Sequence, residues 1–347
     1  MTTNDWQKTL ITQGAVIQDN AINHFGHLDQ ELNATLNSNI LCDLSHLGLL
    51  EISGEDAVTF LQGQVTNDVK QLNGSNAHYT GYCSPKGRLL ALFLAFSHNN
   101  HLHLQLPSSL LEPISKRLKM YVMRSKVSII DTTESIFKLG LNGPEATQIL
   151  SQLIPSLPAN DYELISTELA TVLKLPSIDN QTRYEIFTDA EHINSIWNSL
   201  SGKCQLVGKA CWDYLETNSG IPEIVPNTQE QFVPQMINLD ILNGINFKKG
   251  CYTGQEIVAR THYLGSVKRR TFLASIASNQ IPSAGDKIFD ANKNEVGQIV
   301  RVAPNTKSGV DALIELRIEA QQNGEVLWQN VAVEFKALPY SLVAEGA

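Results

Sequence analysis

Lys248-Lys249-Gly250-Cys251-Tyr252-Thr253-Gly254-Gln255-Glu256, continuing Ile257-Val258-Ala259-Arg260, is the stretch on which the reading of this chain turns. It brings together two ammoniums, a thiol, two glycines, a carboxamide and a carboxylate, unlike an apolar core segment or a solvated helix face. Glycines let the backbone turn sharply or approach another group closely. Gly254-Gln255-Glu256 then leads into the apolar pair Ile257 and Val258, as a helix N-terminus does. A thiol beside two lysines and just ahead of a helix start stands where a thiolate is electrostatically favoured. Cys251 is therefore a candidate low-pKa reactive thiol on an anion-facing loop. The plainer alternative is a small buried hydrophobe in a tight turn.

A chain of 347 residues exceeds what one core supports, so two or three domains are expected. A hydrophobic content of 42% supplies packed cores and argues against disorder. Met1-Thr2-Thr3-Asn4-Asp5-Trp6 has neither the basic nor the apolar region of a signal peptide. The longest apolar run, 89–96, is far short of the roughly 20 residues that span a bilayer. The five cysteines, at 42, 83, 204, 211 and 251, form no CxxC pair and no metal-ligand spacing. The expectation is a soluble, reduced, cytoplasmic protein with free thiols, no metal site and no membrane partner. The net charge of -9 disfavours broad contact with nucleic acid. Yet Lys248, Lys249, Arg260, His262, Lys268, Arg269 and Arg270 crowd one stretch, which suits a specific anion such as a glutamate tail, a phosphate or an RNA backbone. The alternative for Lys268-Arg269-Arg270 is an edge strand carrying gatekeeper cations.

Short strands are expected at 40–42 and 47–52, with Ser53-Gly54-Glu55-Asp56 capping a helix. Val58, Leu61, Val65, Val69 and Leu72 would share one face of that helix. Strands follow at 77–83 and 88–96, joined by the β-turn Ser84-Pro85-Lys86-Gly87. Then come a strand at 101–106 and a helix near 110–120, where Pro113 is acceptable only near the first turn. The alternation recurs as a strand (136–141), a helix (144–153), strands (169–175, 183–188) and a helix (191–200). After Gly265 the pattern becomes strands with turns, at 268–276, 287–290, 296–302, 311–318 and 326–336, which suggests a small barrel or sandwich. The fold class is α+β followed by an all-β C-terminal domain.

Lys249-Gly250-Cys251-Tyr252-Thr253-Gly254-Gln255-Glu256 resembles the signature of the YgfZ-type folate-binding proteins, relatives of the glycine cleavage aminomethyltransferase (T protein). The likeness extends over nearly the whole chain. Leu61-Gln62-Gly63-Gln64-Val65-Thr66-Asn67-Asp68-Val69 looks like the family's N-terminal helix motif, and Tyr82-Cys83-Ser84-Pro85-Lys86-Gly87-Arg88 like its β-turn. Gly220-Ile221-Pro222, Phe232-Val233-Pro234-Gln235 and Asn238-Leu239 fall in order before the cysteine motif. The resemblance implies a T-protein-like fold, two interlocked α+β modules around a central folate cavity plus a C-terminal small β-barrel. The expected divisions are a folate-binding region at 1–245, the cysteine loop and short helix at 246–264, and the barrel at 265–347.

The resemblance also implies a ligand, tetrahydrofolate or a one-carbon-substituted folate. Trp212 matches a folate-contacting tryptophan, Glu185 matches the T protein's pterin-binding glutamate, and the family's other ligand-contacting tryptophan aligns with Leu47. Tyr252, Lys249, Gln255 and Arg260 complete the candidate binding set, with Cys251 as the reactive group. Without the resemblance, Trp212 reads as core, and Glu185 reads equally as an outward strand carboxylate. The T protein's paired aspartates fall here on Leu90 and Ala91, so aminomethyl transfer lacks its carboxylate and no defined turnover is expected. The implied function is tetrahydrofolate-dependent support of iron–sulfur cluster assembly or repair, and through it tRNA thiomethylation. Iron–sulfur enzymes or assembly proteins are the implied partners. The alternatives are a folate-dependent one-carbon transferase and a direct tRNA-binding module, which the acidic chain disfavours.

Overall fold

The computed structural model describes residues 3–263 and 265–342. Residues 1–2, 264 and 343–347, parts of the expected divisions, lie outside the described residues. The chain forms two compact units, neither continuous in sequence. Unit 1 takes Met1–Ala57, Leu72–Ala77 and Ala95–Asp213; unit 2 takes Val58–Gln71, His78–Leu94 and Tyr214–Ala347.

Unit 1 is built on a six-stranded sheet in the order Leu164–Ser166, Thr171–Ile178, Gln181–Thr188, Phe137–Gly143, Ile40–Asp43 and Gln205–Val207. Neighbours are antiparallel except Gln205–Val207, which lies parallel to Ile40–Asp43. Period-two alternation divides its residues between two faces. Leu41, Leu139, Leu141, Tyr184 and Ile186 point into an apolar core with Trp6 and Trp197, from helices Thr3–Thr12 and Ile193–Ser201. The two tryptophans meet edge to face at 5.2 Å, and Trp6 Nε1 donates to Asp43 Oδ2 at 2.7 Å. A second sheet places Leu47–Ser53 between His101–Pro107 and Ser128–Asp131, all antiparallel. Its Gly48 face lies against helix Ser108–Val122, where a Cβ at Gly48 would stand 2.6 Å from a Leu111 methyl.

Unit 2 carries most of the hairpin Ala77–Cys83 and Leu89–His98, and a closed six-stranded barrel. Around the barrel run Arg269–Ile276, Val310–Arg317, Glu295–Pro304, Lys287–Asp290, Val326–Trp328 and Val331–Lys336. Ile276, Ile299, Ile314, Leu316 and Trp328 fill its interior. Among the described residues no helix is long and apolar enough to cross a membrane.

The α+β class and terminal barrel agree with the sequence reading, and the turn at 84–87 closes with Gly87 N–H donating to Ser84 O at 2.9 Å. Several elements differ. The helix expected to carry Val58 through Leu72 spans only Ala57–Gln62. Gly63 interrupts it, Val65 forms a bridge to Tyr82, and Val58 is 41% exposed. The helix expected at 144–153 is Ala146–Ser151. Pro113 lies in the second turn of Ser108–Val122, not its first; Ser109, whose carbonyl loses a partner there, is exposed to water. The strand expected at 326–336 is two, broken where Gln329 and Asn330 both take positive φ. Arg269 and Arg270 are not on an edge, because a closed barrel has none. Helices Thr3–Thr12, Leu28–Asn37, Lys209–Asn218 and Ile318–Asn323 are ones that the strand-helix alternation did not reveal.

Candidate functional site

The second face of unit 1's six-stranded sheet carries Arg183, Glu185, Lys138, Asn142 and Cys42, all buried. Buried charge on a sheet face is the informative exception to apolar burial. Glu185 stands directly opposite Gly140, which stands opposite Cys42 on the next strand. A Cβ on Gly140 would come within 2.4 Å of the Trp212 ring, so the missing side chain is what lets Trp212, from helix Lys209–Asn218, lie against this row. The Arg183 guanidinium carbon lies 5.4 Å from the Trp212 ring centroid. Gln105, on the second sheet of the same unit, donates from Nε2 to Glu185 Oε2 at 2.9 Å. Leu49 pairs with Gln105 and Glu51 with His103, so alternation puts Leu47, Leu49, Glu51, His103 and Gln105 on one face. Burial brings the Lys138 ammonium down to about 8, against the pull of Asp43, Glu185 and Asp131.

Among the described residues, the buried polar atoms without a hydrogen-bond partner include Gln105 Oε1, Trp212 Nε1 and Asn142 Oδ1. With the Glu185 carboxylate they offer acceptors and a donor where an apolar core would offer none. A pterin edge, which presents N–H donors and a ring acceptor, fits that set chemically.

In unit 2 the cysteine loop is held by its neighbours in sequence. Asn246 Oδ1 accepts the backbone N–H groups of Lys248 and Lys249 at 2.9 and 3.0 Å. Lys249 turns inward, 8% exposed, and donates from Nζ to the carbonyls of Gln62, Val65 and Asn67 at 2.7, 2.6 and 2.8 Å. Its ammonium also lies 5.3 Å from the buried Tyr252 ring, and burial lowers its pKa to about 8. Gly254 has φ +82°, and a Cβ there would meet Ser84 O at 2.5 Å, so the loop packs backbone to backbone on the 84–87 turn. Helix Gln255–Tyr263 begins at the next residue. All five cysteines are among the described residues, and Cys251 alone is exposed. Burial pushes the thiols of Cys83 and Cys211 up to about 12 and Cys204 to about 11, and raises Cys42 strongly.

Residues 9–248 match the family model described as the GCVT N-terminal domain. Over 326 residues the chain is 32% identical to the tRNA-modifying protein YgfZ of Colwellia psychrerythraea, covering 90% of this chain and 96% of that one. It is 31% identical over 317 residues to the tRNA-modifying protein YgfZ of Escherichia coli, covering 87% and 93%. This chain belongs to the YgfZ family. Glycine cleavage system aminomethyltransferase T from Bartonella henselae superposes with a TM-score of 0.81 over 96% of both chains at 16% identity, which establishes the shared fold.

The YgfZ signature read from the sequence thus lies where expected, on a glycine-bounded loop ahead of a short helix. Glu185, Trp212 and Leu47 belong to unit 1; Cys251, Tyr252, Lys249, Gln255 and Arg260 belong to unit 2. Glu185 and Trp212 meet at Gly140, whereas Leu47 is half-buried on the facing sheet. Trp212 is 1% exposed, enclosed by Gly140 and Arg183. The basic stretch is less available than its composition suggests. Lys249 has given its three donors to carbonyls, Arg270 pairs with Asp240 at 2.6 Å, Arg269 with Glu315 at 2.8 Å, and exposed Arg260 with Glu256 at 2.9 Å. Arg183, Lys138 and Gln105 were missed. The first two had a legible signal, charges at alternate positions of otherwise apolar strands (Arg183-Tyr184-Glu185-Ile186-Phe187 and Phe137-Lys138-Leu139). Gln105 had none.

Proposed function

We propose that this protein binds tetrahydrofolate, or a one-carbon-substituted folate, and supports iron–sulfur cluster assembly or repair, and through it tRNA modification. The observation that carries the folate reading is the buried polar sheet face, with the Glu185 carboxylate flanked by the unpartnered Gln105 Oε1 and Trp212 Nε1. Glu185 would accept from the pterin's amino and ring N–H groups, and Gln105 would fix the carboxylate's orientation. Arg183 and Lys138 bring positive charge to the same face. Bound folate would supply a reduced ring able to carry a one-carbon unit. Cys251, the exposed thiol, would be the group that reacts with a partner.

The alternative of aminomethyl transfer is disfavoured because Leu90 and Ala91, at the positions of the T-protein aspartates, are buried and apolar. Direct tRNA binding is disfavoured because Arg269 and Arg270 spend their charge on internal partners. A strain lacking its own YgfZ-type protein, supplied with wild type, Glu185→Gln or Cys251→Ala, tests the proposal through iron–sulfur enzyme activity and tRNA thiomethylation. Wild type should restore both and each variant neither; full restoration by Cys251→Ala would reduce the signature to a structural turn.

A further inference from the structure

Unit 1 also carries a half-open cavity of about 820 Å³ that the folate reading leaves unused. Glu51, Phe96, His98, His103, Phe187 and Asp189 are among its walls, and Glu168 stands at them too. Three carboxylates line it, and among the described residues no lysine or arginine does. That charge pattern repels the glutamate tail of a folate and any phosphate. It attracts a cation.

The interior is partly aromatic. Phe96 stacks on the His103 imidazole with centroids 5.2 Å apart and planes 10° apart, and meets Phe187 at 4.7 Å. His103 is 2% exposed, and its Nδ1 makes no hydrogen bond. Burial lowers its pKa to about 4, so at neutral pH the ring is uncharged and can accept a hydrogen bond. Glu51 lies beside it, its carboxylate 3.1 Å from His101 Nδ1 and 3.9 Å from His103 Nε2. Among the described residues no three histidine, cysteine or acidic side chains are grouped to hold a metal ion.

We propose that this cavity binds a small organic cation, an ammonium group carried on an apolar body. Glu51 supplies the counter-charge, His103 Nδ1 accepts an N–H, and Phe96 and Phe187 supply the apolar and cation–π surface. The volume lies within the roughly 300–1,000 Å³ common for small-molecule sites.

Calorimetry on the full chain with three probes of one aromatic body tests this: phenethylamine, 2-phenylethanol and phenylacetate. The amine should bind about tenfold or more tightly than the alcohol, phenylacetate should not bind, and added salt should weaken the amine. Glu51→Gln should lower amine affinity about tenfold while leaving tetrahydrofolate affinity unchanged. Glu168→Gln, at an exposed wall position, serves if Glu51→Gln fails to fold, and should lower amine affinity about twofold or more. No binding at millimolar amine, phenylacetate binding as tightly as the amine, or unchanged amine affinity in the folded variant would each overturn the proposal. Loss of folate binding alone would overturn the folate reading and leave this one standing.

Discussion

Replacing Lys249 with methionine should destabilise the protein by about 3 kcal/mol, and the figure follows from opposed terms. Methionine keeps most of the stem's volume, so packing against Tyr252 survives. The carbonyls of Gln62, Val65 and Asn67 lose their donor, and each buried acceptor left without a partner costs about 1–3 kcal/mol. The variant also escapes the cost of burying a charge. The Lys249 pKa falls from 10.5 to about 8, which at about 1.4 kcal/mol per pH unit is about 3 kcal/mol. Six from the middle of the first range less that three leaves about 3 kcal/mol. Urea unfolding should show a lower midpoint with an unchanged slope. The pH dependence gives a second check. Because the folded pKa is depressed, the unfolded chain binds the extra proton between pH 8 and 10.5, so wild type gains stability over the variant as pH rises through that window. A folded Lys249→Met protein as stable as wild type, with weakened binding of polyglutamylated folate, would refute this reasoning and return Lys249 to a ligand role.

Brief iodoacetamide exposure of the native protein should label Cys251 first by mass-spectrometric mapping, with Cys42, Cys83 and Cys211 last. Labelling of any buried cysteine ahead of it would count against its role. Acid should destabilise the protein, since burial lowers His78 and His103 from 6.5 to about 4. The unfolded chain then takes up protons first, and stability is lost as pH falls from 6.5 toward 4. His103→Gln should flatten that slope, and an unaltered slope would deny His103 its share.

The chemistry of this protein was easier to read from its sequence than the placement of that chemistry. The cysteine signature, the 84–87 turn and the barrel strands rest on local rules of glycine, proline and period-two alternation, and the structure follows them. The helix expected over 58–72 failed because its apolar spacing is met by other means. Val65 bridges to Tyr82, and Thr66 and Asn67 bond Gly244 and Asn243, partners more than 170 positions away in sequence. The basic stretch misled for a similar reason. Composition counts charges but cannot see Asp240 or Glu315, so paired cations read as free ones. Glu185 and Trp212 were legible only through resemblance. What unites them, a glycine on the neighbouring strand that gives the indole room, is a tertiary fact.

The central claim is that the polar sheet face around Glu185 holds a reduced folate. Calorimetric titration of tetrahydrofolate into wild type and Glu185→Gln tests it most directly, since the substitution keeps the shape and removes the charge. Loss of a charge-assisted pair predicts affinity weaker by about tenfold or more, ~1.5–3 kcal/mol, in a variant that still folds. Equal affinity in the two proteins would contradict the account.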